Sequence, residues 1–260
     1  MSTDRTLIQI RERSLIDLLD LTLVVVRGRP KELVLAALAG AAPFCALNMF
    51  LTSNPEFSFP AFVYLIVLEA PWATAPLTVV LGSLMFGGKA TFRQVVVSLF
   101  RALPALFVYQ FLVRGLLLVT FVLYLMVPTR LAFLDEVILL ERGRFTGVVK
   151  RCSSLCGARG GDLFGQWMAQ LFFGFLFVVC FWFGSGALIS GLTSSEMTWD
   201  RPAWADLYGF RFQAGLWIAI QFFGVTRFLT YIDQRIRIEG WEVKLRLQSV
   251  GRSLEEAGRW

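Results

Sequence analysis

The chain of 260 residues contains no histidine. That absence removes the commonest general base and the commonest metal ligand, and with them the central residue of most hydrolase and metalloenzyme mechanisms. Cysteine is scarce. Of its four residues, Cys45 and Cys180 lie in apolar runs, and Cys152 and Cys156 share a basic segment with no third or fourth ligand nearby. They indicate neither a disulfide framework nor a zinc site and read as small buried hydrophobes, so no metal or cofactor is expected. Charged residues make up only 17% of the chain, against about a quarter in an ordinary soluble domain. This excludes a disordered chain and a nucleic-acid-binding tail. What is abundant is apolar: 56% of residues, including 25 Phe and 8 Trp, with a mean hydropathy of +0.63. So many large apolar side chains cannot be hidden in one soluble core of this length, and the class that remains is a multi-pass membrane protein.

Four apolar runs are long enough to cross a bilayer core of about 30 Å. They are Leu33 to Leu51, Ala61 to Leu84, Leu163 to Ile189 and Phe212 to Tyr231. Between the second and third lies Val95 to Leu140, interrupted only by Arg101, Arg114, Arg130, Asp135 and Glu136, and this stretch reads as one long span or two short ones. The cations decide by parity. A single crossing would put the cation-rich loop from Arg130 to Arg159 outside, against the positive-inside rule. A hairpin turning near Arg114-Gly115, with Gly115 as a left-handed helix terminus, puts every Lys and Arg except Arg114, Arg201 and Arg211 on or beside the cytoplasmic side. The expectation is an all-α bundle of about six spans, near 33–52, 61–84, 97–113, 116–134, 163–190 and 211–231. An interfacial segment (1–32) would precede this membrane domain (33–231), and a cytoplasmic amphipathic tail (232–260) would follow it, with both termini cytoplasmic. The middle pair is short, reaching about 26 to 29 Å, so it either tilts, thins the bilayer or stops short of the far face as a re-entrant segment. The N-terminus is charged through Arg13 and shows no small-residue cleavage pattern, so the mature chain is expected to begin at Met1.

Outside the spans, Ser14-Leu-Ile-Asp17 has capping-box form and opens an apolar run to Val26. This predicts a helix that either lies on the inner leaflet or packs against the bundle. The segment Glu141 to Gly157 reads as a turn and a short basic helix. Lys150 and Arg151 there are candidates to meet anionic headgroups at roughly 1 kcal/mol each, although basic loops are needed for orientation alone. After the last span, Asp233 and Arg237 are i,i+4 partners on a helix, as are Arg235 and Glu239. Strict alternation from Trp241 to Gln248 favours a strand. Arg227, Arg235, Arg237 and Trp241 complete the candidate interfacial set. The outer loop from Thr193 to Gly209, with Trp199 and Trp204 among acidic residues, fits an interfacial aromatic belt or a partner surface.

Three motifs carry a resemblance: Arg11-Glu-Arg-Ser-Leu-Ile-Asp-Leu-Leu-Asp20, Glu141 to Gly157, and Tyr231-Ile-Asp-Gln-Arg-Ile-Arg-Ile-Glu-Gly240. In order and spacing they resemble six-span bacterial inner-membrane proteins of unknown function, related to the membrane domain of some glycerophosphoryl diester phosphodiesterases. The resemblance implies a bacterial inner-membrane helical bundle, with helix rather than strand after Asp233. The phosphodiesterase barrel has no counterpart here, so that activity does not carry over.

Within the spans, Glu69 stands in Leu68-Glu-Ala-Pro-Trp-Ala-Thr-Ala-Pro76. An unpaired charge at that depth costs roughly 2.5 to 3.5 kcal/mol, so the carboxyl must be protonated, paired or beside water. Pro71 and Pro76 lack amide donors and release the carbonyls of Val67 and Trp72. Glu69, Pro71 and Pro76, with Arg114 as a partner reaching down from the outer turn, therefore form a candidate intramembrane polar site. A protonated carboxyl group bonded to a neighbouring helix at a proline kink is the plainer alternative. Arg227 sits about 12 Å from Glu69 in depth, too far to pair, and is expected to snorkel to the inner headgroups. Gln110, Gln166, Gln170 and Gln221 are placed to bond across helices. With no catalytic constellation, the expected role is non-enzymatic: a scaffold or lipid-contacting subunit working with other membrane proteins and the bilayer, with no nucleic acid. A small transporter or channel using Glu69 is the alternative. Oligomeric state is not legible in the sequence.

Overall fold

A computed structural model of the chain describes residues 15–54, 56–85, 91–119, 126–141, 147–157, 159–193 and 209–239. These residues form an all-α bundle and contain no strand. Five helices are long and apolar enough to cross a membrane: Pro30–Thr52, Phe59–Met85, Phe92–Leu117, Gly160–Thr193 and Phe210–Ile238.

Helix α1 (Leu15–Gly28) opens the described residues. It buries Leu18, Thr22 and Val25 and leaves Ile16, Leu23 and Val24 exposed. The buried side packs on the last helix, where Thr22 Oγ1 lies 3.1 Å from Thr226 Oγ1. Helix α2 (Pro30–Thr52) starts on a proline whose missing N–H would be unbonded in a first turn anyway. It runs antiparallel to α3 (Phe59–Met85), and the tightest point of their contact is Gly40. A Cβ at Gly40 would fall on the carbonyl oxygen of Ala73 and lie 3.3 Å from Pro76 Cδ. Only a residue without Cβ allows the two backbones to meet there.

The largest departure from the sequence reading lies between α3 and the next long span. Helix α4 (Phe92–Leu106) opens with the Gln94 side chain accepting the Thr91 N–H at 3.2 Å. It then widens into a π-helical stretch (Phe107–Arg114) and continues as α5 (Gly115–Val119). There is no hairpin at Arg114-Gly115. Gly115 has φ −60° and ψ −43°, ordinary right-handed helix, and is used for contact: a Cβ there would sit 3.6 Å from Tyr64 Oη and 3.7 Å from Leu68.

Of the fourth span placed at 116–134, residues 120–125 lie outside the described residues and 131–133 are not helical. Residues 126–141 form α6 (Met126–Arg130), a break, the single turn α7 (Leu134–Glu136) and a π-helical turn (Val137–Glu141). Among the described residues the six expected crossings thus reduce to five long helices and one broken segment. The break has a packing reason. Helix α8 (Val148–Gly157) buries Cys152, Leu155 and Cys156 against it. The amides of Ala132 and Phe133, freed where the helix is interrupted, meet the two sulfurs. A hydrogen bond to Cys156 and burial hold the Cys152 thiol well above its ordinary range. The expectation of buried cysteines is met for this pair, while Cys45 is half-buried and Cys180 is exposed on α9.

Helix α9 (Gly160–Thr193) is about 51 Å long at 1.5 Å per residue, so it overreaches a 30 Å core. It lies along α10 (Phe210–Glu239) through Gly174 against Phe223 and Trp182 edge-on to Phe212, with Phe172, Phe175 and Leu192 exposed on its outer side. Helix α10 continues past Asp233 to Glu239. Trp241 to Gln248 and the loop bearing Trp199 and Trp204 lie outside the described residues. Several contacts align one end of the bundle: Leu140 on Gly82, Thr129 on Gly160, and Arg29 beside Met85. This end carries Arg27, Arg29, Lys31, Arg93, Lys150, Arg151, Arg159, Arg235 and Arg237, and is termed the basic end.

Candidate functional site

Two polar centres lie inside the bundle, and only one was legible as a site in the sequence. The expected one is Glu69, 6% exposed on α3. Its partner is neither Arg114 nor Arg227. Asn48 on α2, fully buried, donates its amide to Glu69 Oε2 at 2.6 Å. Glu69 thus makes the bond to the adjacent helix that the plainer alternative expects. Pro71 and Pro76 do not interrupt α3, which is helical throughout. Pro71 is buried, Pro76 abuts Gly40, and the Thr74 hydroxyl donates back to the carbonyls of Ala70 and Pro71 at 3.0 and 3.3 Å. Gln221 donates to the Ala73 carbonyl at 2.8 Å, tying α10 to the same stretch.

The second centre is built on Arg227. Instead of snorkelling, its guanidinium turns inward. Nε donates to Glu136 Oε1 at 2.7 Å, Nη2 lies 2.9 Å from Asp135 Oδ2, and Nη2 also donates to Thr74 Oγ1 at 3.3 Å. Asp135 and Glu136 are 2% and 0% exposed. The planar fork of arginine suits two carboxylates at once, and charge-assisted bonds are the strong ones where water is scarce. Two neighbouring acids reach one guanidinium because the break after α6 aims the single turn of α7 at α10. Asp135 also accepts the Gln110 amide, and Gln110 Oε1 accepts from Arg114 Nη1 at 3.2 Å. A chain of polar contacts, Arg114–Gln110–Asp135–Arg227–Thr74, thus joins α3, the π-helical stretch, α7 and α10.

These side chains border a cavity of about 200 Å³. Tyr109, Gln110, Val113 and Arg114 all line it, because i→i+5 bonding widens the turn and lets residues four and five apart share a face. Leu163, Gln166, Trp167 and Gln170 of α9 form the opposite wall, with Val127 to Asp135 toward the basic end and Ile220 to Thr230 of α10 behind. No protein-family model, curated protein or solved structure matches the chain.

Toward the basic end a third cluster joins two of the sequence motifs. Glu141 accepts Arg151 at 2.7 and 3.2 Å and the Tyr231 hydroxyl at 2.8 Å, while Arg235 lies 3.7 Å from Glu141 and donates to Tyr231 Oη at 3.3 Å. Arg237 pairs with Asp233 at 2.8 Å, as the i,i+4 spacing predicts. Of the cations expected at headgroups, Arg151, Arg235 and Arg237 are thus engaged within the protein, and Lys150 is exposed. Gln110, Gln166 and Gln221 bond across elements as expected, Gln166 to Thr230 Oγ1 at 2.6 Å. Asp135, Glu136, Glu141 and Tyr231 were missed as site residues. The available signal was the pair of adjacent acids, Asp135-Glu136, in an otherwise apolar run.

Proposed function

We propose that this multi-pass helical membrane protein is a non-enzymatic, lipid-contacting scaffold of a bacterial inner membrane, with its basic end on the cytoplasmic side. The observation that carries this reading is that the charged groups in the bundle answer one another. Arg227 is clasped by Asp135 and Glu136, Glu141 gathers Arg151 and Tyr231, and Glu69 is bonded to Asn48. Such an arrangement fixes helices in place, whereas a transport site needs charged or polar groups that exchange partners.

Two experiments test this. Protein in sealed liposomes is expected to pass no protons or small ions above protein-free vesicles, and Glu69→Gln to behave identically, because the amide keeps a bond to Asn48. Flux abolished by the substitution would establish the transporter reading instead. For orientation, a reporter fused at Gly147 is expected to read cytoplasmic, and an external reading overturns the assignment of the basic end.

A further inference from the structure

We infer that the cavity between the π-helical stretch and α9 binds the phosphate-bearing headgroup of a glycerolipid from the leaflet at the basic end. The inference deepens the lipid-contacting reading above and rests on it. Three features of the cavity carry it. First, its polar wall is rich in donors. Arg114, held by Gln110, lines one side, and the amide of Gln170 lines the other. Gln170 is half-buried and makes no hydrogen bond among the described residues. The one lining carboxylate, Asp135, already accepts from Gln110 and Arg227. Such a wall can still donate to an acceptor, and a phosphate presents several oxygens to a guanidinium and an amide at once.

Second, the remaining walls are apolar: Val113, Val127, Leu131, Leu163, Ile220 and Phe223. A polar cap over an aliphatic wall fits an amphiphile rather than a free ion. The volume of about 200 Å³ is that of roughly six or seven waters, the scale of a headgroup and smaller than a site for a drug-sized molecule. Third, the α9 wall of the cavity lies within reach of one leaflet. Leu163 to Gln170 lie about 4 to 15 Å along α9 from its first residue at the basic end. A headgroup entering from that leaflet would meet the positive field of the basic end on its way, pass Gln170 first and reach Arg114 deeper, beside the level of Leu68.

The test uses full-length protein purified in detergent, with the lipid it retains counted by native mass spectrometry after exposure to phosphatidylglycerol, diacylglycerol or water-soluble glycerol 3-phosphate. Wild type is expected to retain phosphatidylglycerol at least tenfold better than diacylglycerol. Gln170→Leu and Arg114→Met are expected to lose that preference, and Leu192→Ala, exposed near the far end of α9, to keep it. Binding of glycerol 3-phosphate as tight as the lipid assigns the same pocket to a free phosphate ester. Binding of the lipid alone assigns it to the membrane. Equal retention of diacylglycerol, or retention unchanged by both pocket substitutions, overturns the proposal. If Arg114→Met does not fold, Gln170→Leu decides alone, since its amide holds no other described group. The two readings fail separately. Ligand that is bound but transported or hydrolysed ends the scaffold role and leaves the pocket, whereas absence of both binding and flux ends the pocket and leaves the role.

Discussion

Replacing Arg227 with methionine is expected to destabilise the protein by about 3–5 kcal/mol, measured as a loss of unfolding free energy in mixed micelles. The substitution keeps most of the side-chain volume and removes the charge. It leaves Asp135 and Glu136, both almost fully buried, facing each other across the space the guanidinium occupied. Removing one partner of a buried ionic group costs more than the intact group contributes, because the remaining charges keep their desolvation penalty without compensation. A sharper form of the test adds Asp135→Asn and Glu136→Gln to the methionine variant. The triple variant is expected to regain much of the lost stability. If the single variant unfolds at the wild-type midpoint, the cluster does not hold α7 to α10.

The second large effect is steric. Gly40→Val is expected to destabilise by about 3 kcal/mol or more, the upper part of the range for overpacking, because the atom a side chain meets is a backbone carbonyl in a proline-bearing helix. A flexible side chain would move aside, and the Ala73 carbonyl cannot move without separating α2 from α3. The same substitution at Gly184 on α9, where nothing lies within 4 Å, is expected to change stability by less than about 0.5 kcal/mol. Both residues belong to small-residue patterns in the sequence, so comparison of the two variants separates a packing glycine from one that faces open space. Equal midpoints would show that α2 and α3 do not meet at Gly40.

The contrast between these glycines shows where sequence reasoning stops. Gly40 and Gly184 look alike as letters in apolar helices, and contact distinguishes them. Arg227 is a similar case. Its depth was legible from its position in the run, and from depth alone snorkelling is the cheapest fate. What reversed it was a pair of acids far away in the chain, brought to the same level by a segment that breaks instead of spanning. Parity of cations could say that Val95 to Leu140 leaves and returns. It could not say that residues 126–141 form two short helices and a π-helical turn, a broken segment against which α8 buries Cys152, Leu155 and Cys156.

Glu69 was recognised as a residue needing an explanation, since a carboxyl group in hydrocarbon always does. Its partner was out of reach of the sequence, because Asn48 is one of several polar residues on α2 and only the register set by Gly40 against Ala73 brings it within 2.6 Å. By itself the sequence determined the solvent, the helical class, the positions of the long spans and the gathering of cations toward one face. All of these follow from hydrophobicity counted along the chain, which is local. Only the tertiary structure decided which buried charges meet, where the fourth crossing gives way to a broken segment, and that Arg114, Gln110 and Gln170 face one cavity. Those outcomes depend on register and on contacts between residues far apart, and composition and periodicity carry no record of either.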